Sequence, residues 1–168
     1  MDADSQRVSN LNKGIDTRNC DSTENILKSL ASSSITNNWE DASKCNFFIV
    51  AIPTPINETK EPDVTALINV CSEIGKILKP NDIVVFESTV YPGATEELCI
   101  PILEHYSGLA LNKDFYVGYS PERVNVGDKY HHLASIPKIV SASTDIIMDD
   151  IAAIYDSVLD NGIIKAPS

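Results

Sequence analysis

Three short runs hold the side chains best suited to chemistry: Pro53-Thr54-Pro55, Glu87-Ser88-Thr89-Val90-Tyr91-Pro92-Gly93, and Tyr119-Ser120-Pro121-Glu122-Arg123. Hydroxyls and backbone N–H groups near a helix start receive phosphate or ribose oxygens. A Glu beside an Arg suits hydroxyl and phosphate contacts. Each run also has a plainer reading. Pro-Thr-Pro can simply end a strand, Ser88 and Thr89 can cap a helix after Gly93, and Glu122 with Arg123 can be a solvated pair. Their common position decides between these readings, since each run directly follows a short apolar segment.

Those apolar segments are the elements that must position the chemistry. Residues 47–52, Phe-Phe-Ile-Val-Ala-Ile, read as a buried strand stopping at Pro53. Asp63 then caps a long helix with apolar positions Leu67, Ile68, Cys71, Ile74 and Leu78, closed by Pro80. A strand over 83–86 follows, then a helix opened by Pro92-Gly93 and running to about Tyr106. Further strands are expected over 115–119 and 138–141, a helix over 144–159, and a last strand from Ile163. Upstream, Asp4 can cap a helix over 5–12 that Gly14 stops, and Thr23 can start another carrying Ile26, Leu27 and Leu30. Strands alternating with helices predict an α/β protein with a parallel sheet, whose ligands lie beyond the carboxyl ends of the strands. The three polar runs are therefore the candidate site.

Composition narrows the possible partners. A net charge of −11, with no basic stripe, speaks against nucleic acid, whose affinity rests on clustered Lys and Arg. The first twenty residues hold no apolar stretch of the signal-peptide kind, and the run over 47–52 is far too short to cross a bilayer. Cys20, Cys45, Cys71 and Cys99 form no C-x-x-C pair and no zinc pattern, which is the usage of reduced cytosolic thiols. The expectation is a cytoplasmic protein that binds no metal, and 168 residues suffice for one domain.

The segments FFIVAIPTPINETKEPDVTAL, VVFESTVYPGATEE and FYVGYSPERVNVGDKYH, in this order and spacing, resemble the UDP-glucose/GDP-mannose dehydrogenase family. They look most like its bacterial branch acting on UDP-N-acetylhexosamines for surface polysaccharide. The resemblance runs from Asp2 to Ser168, and Asp2-Ala3-Asp4-Ser5-Gln6-Arg7-Val8 matches the family's Asp-x-Asp-x-x-Arg-Val stretch after the second strand. It implies NAD as cofactor, with Asp2 on the adenosine ribose hydroxyls and Arg7 near the adenine side. It also implies that Thr54, Ser88 and Thr89 contact the cofactor. Glu122 would lie where cofactor and sugar meet, in a supporting catalytic role, and Arg123 on the substrate side. The chain departs from the family at Val126, His132 and Ala142, where Pro, Arg and Gly are usual.

The implied fold is an incomplete Rossmann-like doubly wound sheet, lacking the first two strands and the glycine-rich turn. The seven glycines, at 14, 75, 93, 108, 118, 127 and 162, never give G-x-G-x-x-G. The family's reaction oxidises a sugar C6 alcohol to an acid in two NAD-dependent steps through a cysteine thiolate. The central helical domain with its Lys and the UDP-sugar domain with that Cys have no counterpart here. The expectation is thus a fragment, residues 1–168 of a partial NAD-binding domain, inactive by itself and serving a UDP-sugar enzyme. A free-standing α/β binding or regulatory module, or one half of a split enzyme, are the alternatives. No cysteine here, nor His105, His131 or His132, has the setting of a nucleophile or its base. An unpaired edge at the strand over 47–52 would invite self-association.

Overall fold

The computed structural model describes residues 1–58, 60–122 and 136–167. Contacts divide the chain into two units, Met1–Lys44 and Cys45–Ser168.

In the first unit, helix α1, Ser5–Leu11, begins where the Asp4 carboxylate accepts the N–H groups of Gln6 and Arg7. It buries Val8. Helix α2, Thr23–Leu30, is capped by Ser22 rather than Thr23, the Ser22 hydroxyl accepting from the Asn25 N–H. A single turn, α3, Trp39–Ala42, follows its cap Asn38. Four residues carry too little periodicity to be seen in sequence. Segment 35–37 is tied back to α1: Asn12 donates to the Ile35 carbonyl at 2.9 Å and Asn37 to the Ser5 hydroxyl at 2.7 Å.

The second unit alternates as the sequence predicts. Its elements are β1 (Phe47–Val50), α4 (Thr65–Ile77), β2 (Ile83–Phe86), a π-helical turn (Thr95–Cys99) running into α5 (Ile100–Ser107), β3 (Tyr116–Tyr119), β4 (Lys138–Ala142), α6 (Asp145–Asp156) and β5 (Ile163–Lys165). The π turn has a local cause. Pro101, just inside α5, lacks an N–H and its ring crowds the carbonyl four residues back, so the coil widens there instead of continuing as one α-helix.

The five strands form one sheet in the order β1-β2-β3-β4-β5. The β1–β2, β2–β3 and β4–β5 pairs are parallel. β4 runs antiparallel to β3, with Gly118 opposite Ala142 and Tyr119 opposite Ser141. The sheet is thus mostly, not wholly, parallel, which brings the amino end of β4 to the edge where β1, β2 and β3 have their carboxyl ends.

All four β2 residues are buried, as a central strand requires. Ile83 and Val85 join Val140 of β4 and Ile147, Ile151 and Tyr155 of α6 in one core cluster. The close seat of α6 explains Gly118. A Cβ there would stand 2.7 Å from Ile151 Cδ1 and 3.1 Å from the Ser141 carbonyl oxygen. Helices α4 and α5 pack together and bury Leu67, Cys71, Ile74 and Leu103. Among the described residues β1 pairs only with β2, so it is an edge strand, and its Ile49 is 48% exposed. No helix of the described residues is long and apolar enough to cross a membrane.

Candidate functional site

The ends of β1 and β2 are bolted together by Ser88. It is only 5% exposed, and its hydroxyl accepts the Ile52 N–H at 3.0 Å while donating to the Ile52 carbonyl at 2.8 Å. The backbone adds to this, since the N–H groups of Glu87 and Ser88 both reach the Val50 carbonyl. Ser88 is therefore not a helix cap. Its hydroxyl is spent on holding the chain that leaves β1. Beyond it the two loops join again, where the Thr54 hydroxyl donates to the Thr89 carbonyl at 2.5 Å. Thr54 is half-buried, and Thr89 is exposed. The structure thus brings Thr54, Ser88 and Thr89 together at one edge of the sheet.

Glu122 lies at the same edge. After β3 the chain keeps pairing with β2: the Ser120 N–H reaches the Phe86 carbonyl at 2.9 Å, and the Glu122 N–H reaches that of Glu87 at 3.4 Å. Ser120, fully buried, donates its hydroxyl to the Ile139 carbonyl at 2.8 Å, fastening this segment to β4. The Glu122 side chain then meets a buried cation. Lys138, 4% exposed, places its ammonium 3.3 Å from Glu122 Oε2 and 3.3 Å from Glu87 Oε1.

Tyr155 of α6 completes the group. Its hydroxyl donates to Glu87 Oε1 at 2.6 Å, and its ring centroid lies 5.5 Å from the Lys138 ammonium, within cation–π reach. Burial, followed by the hydrogen bond to Glu87, pushes the Tyr155 phenol above its ordinary range and keeps it a donor. An ammonium so deeply buried persists because it is paired.

Lys138, Tyr155 and the pairing of Glu87 were not visible in sequence. A Lys at the first position of a strand reads as a solvated boundary, and a Tyr at helical spacing with Ile147 and Ile151 reads as core. Arg123, expected on the substrate side, lies outside the described residues, as do Val126, His131 and His132. Ala142 ends β4 opposite Gly118.

Asp2 and Arg7 belong to the first unit. Asp2 is anchored rather than frayed: its N–H donates to the Thr36 carbonyl at 3.1 Å, and its Oδ1 accepts the Asp4 N–H at 2.9 Å. Its Oδ2 lies 3.0 Å from Arg7 Nε. Arg7 Nη1 is buried with no hydrogen-bond partner among the described residues, an orphan donor beside a carboxylate.

Cys20 and Cys45 are exposed. Cys71 and Cys99 are buried. The hydrogen bond shared with Cys99, and then burial, push the Cys71 thiol up, away from thiolate chemistry. Among the described residues no cluster of His, Cys, Asp and Glu could hold a metal ion. A cleft of about 450 Å³ opens behind the second polar run, lined by Tyr91, Pro92, Gly93, Thr95, Tyr119 and Ser143 among others. None of Thr54, Ser88, Thr89 and Glu122 lines it, so it borders the candidate site without being it.

Known proteins share this sequence and this fold. A sequence model described as UDP-glucose/GDP-mannose dehydrogenase family, NAD binding domain, matches residues 1–159. The chain is 49% identical over 169 residues to UDP-N-acetyl-D-glucosamine 6-dehydrogenase of Pseudomonas aeruginosa, covering 100% of this chain and 40% of that protein. It is 47% identical over 168 residues to the protein of that name in Salmonella typhi, covering 100% of this chain and 39% of that one. The crystal structure of NDP-N-acetyl-D-galactosaminuronic acid dehydrogenase from Methanosarcina mazei Go1 superimposes with a TM-score of 0.87 at 30% identity, covering 99% of this chain and 37% of that one. The chain thus spans about 40% of the length of these curated relatives.

Proposed function

Because the chain belongs to the UDP-glucose/GDP-mannose dehydrogenase family and matches its NAD binding domain, we propose that it supplies the cofactor-binding part of an NAD-dependent nucleotide-sugar 6-dehydrogenase. The observation that carries this reading is the meeting of Thr54, Thr89 and Glu122 at one sheet edge, beyond the carboxyl ends of three parallel strands. NAD, when bound, supplies the hydride acceptor.

The chain's own residues bind and orient. Asp2, held by Thr36 and Arg7, offers carboxylate oxygens to ribose hydroxyls. The orphan Nη1 of Arg7 is the feature that fits a ligand oxygen on the adenine-ribose side. Thr54 fixes the Thr89 loop, leaving the exposed Thr89 hydroxyl and nearby backbone to meet the cofactor, while Ser88 supports from beneath. Glu122 lies where cofactor and sugar meet and accepts from a water or a protonated group there, with Arg123 on the substrate side.

The substrate class is a UDP-N-acetylhexosamine, in keeping with the names of the relatives, and the C6 acid formed would serve surface polysaccharide in the cytoplasm of a bacterium. Oxidation to the acid by the thiolate route needs an accessible, activated cysteine. Cys71 and Cys99 are buried, and the exposed Cys20 and Cys45 lie in none of the three polar runs, so we assign cofactor binding but no turnover to this chain by itself. The exposed edge of β1 supports a second reading, in which the chain pairs there with a copy of itself or with the other half of a split enzyme.

Calorimetric titration of the full chain with NAD, beside a turnover assay with UDP-N-acetylglucosamine, tests the proposal. NAD binding that weakens about tenfold or more in Asp2→Ala, without turnover, is the expected result. Absence of NAD binding up to millimolar concentration would overturn it.

A further inference from the structure

The antiparallel run of β4 leaves one group at the sheet edge that the cofactor reading does not use. Lys138, the first residue of β4, is 4% exposed and bridges the carboxylate after β2 to the carboxylate after β3, 3.3 Å from each. Among the described residues the charged and titratable groups facing it are Glu87, Glu122 and, from α6, Tyr155. These are unequal partners. Glu87 is 16% exposed and already receives the Tyr155 hydroxyl, so it is fixed from two sides. Glu122 is 41% exposed.

We propose that Lys138 is the positioning residue for Glu122: its ammonium, anchored on Glu87, fixes the Glu122 carboxylate at the ligand edge and favours its charged form. Two carboxylates gathered around one nitrogen repel each other, and the cation between them offsets that repulsion. A protonated Glu122 would present a donor where the reading above needs an acceptor. Fixing matters as much as charge. A glutamate has three side-chain torsions, and the bond to a buried ammonium removes most of that freedom before a ligand arrives. Glu87 and Tyr155 then act through Lys138, tying the site to α6. The proposal rests on the reading of Glu122 as a ligand-side residue.

The test is a carboxyl-carbon NMR titration of the full chain without ligand, with the Glu122 signal identified by its loss in Glu122→Gln. In Lys138→Met the Glu122 midpoint should move upward by about one pH unit or more, whereas Lys138→Arg, which keeps the charge, should hold it near the wild-type value. A purely structural role for Lys138 would not give that split. An unchanged Glu122 midpoint in folded Lys138→Met overturns the proposal. Should circular dichroism show that variant unfolded, Glu87→Gln decides. With its competitor gone, Lys138 serves Glu122 alone, and the midpoint must fall; a midpoint that stays put overturns the proposal.

NAD affinity is measured separately. Lys138→Met combined with Glu122→Gln should lose no more affinity than Glu122→Gln alone, and an additive loss counts against positioning through Glu122. If the midpoints move as stated while Glu122→Gln leaves affinity intact, the positioning role stands and Glu122 leaves the ligand site.

Discussion

Ser88 shows how a residue type can be legible while its job is not. Its place after a strand reads as cap or cofactor contact, but its burial and its two bonds to Ile52 make it a latch on β1. Ser88→Ala should cost about 1 kcal/mol, because the partly buried Ile52 groups lose their partner. Urea denaturation measures this, and a change within a few tenths of a kcal/mol would remove the latch. Tyr155 gives a pH dependence of definite sign. Its phenol titrates higher in the folded state than its ordinary value of 10.0. Above about pH 10 the unfolded chain releases this proton and the folded chain keeps it, so stability is full below that pH and falls as pH rises past it. Chemical denaturation at pH 9 and pH 11 should show a steeper loss in wild type than in Tyr155→Phe. Equal slopes would mean that Tyr155 is not shielded.

Between elements, the strands and the three long helices were readable because their apolar spacing has a period set by covalent geometry. Residues 47–52 shortened to Phe47–Val50, since Ile52 gives its backbone to Ser88 rather than to a neighbouring strand. The direction of β4 was not readable. In sequence β4 is a short apolar run like its parallel neighbours, and residues 120–137 can serve either connection. Close approach is also invisible in sequence, as at Gly75 inside α4. On propensity alone, Gly75→Ala would stabilise the helix by about 1 kcal/mol. A Cβ there would stand 2.7 Å from Tyr106 Cβ, however, and the overpacking cost of about 1–3 kcal/mol wins. We expect a net loss in thermal unfolding, and a raised Tm would show that α4 and α5 can part at little cost.

For the whole molecule, the edge of β1 is the feature with consequences in solution. Ile49 is half exposed on a strand with one neighbour, an open template for another strand. Ile49→Lys should shift sedimentation profiles toward monomer at concentrations where wild type associates, and it should leave NAD affinity unchanged. A wild-type chain that is monomeric at every concentration would remove this edge as an interface.

The sequence by itself determined the α/β alternation, the three polar runs and the family, because these depend on local spacing and on residue types kept in order. It placed Thr54, Thr89 and Glu122 at strand ends, since a strand's end follows from where its apolar run stops. Only the tertiary structure decided that β4 turns back against β3. That reversal carries Lys138 from the far edge, where a parallel strand would have left it, to a place between Glu87 and Glu122. Strand direction is set by the packing of α6 and β5 on the rest of the sheet, a sum over distant contacts that no local pattern records.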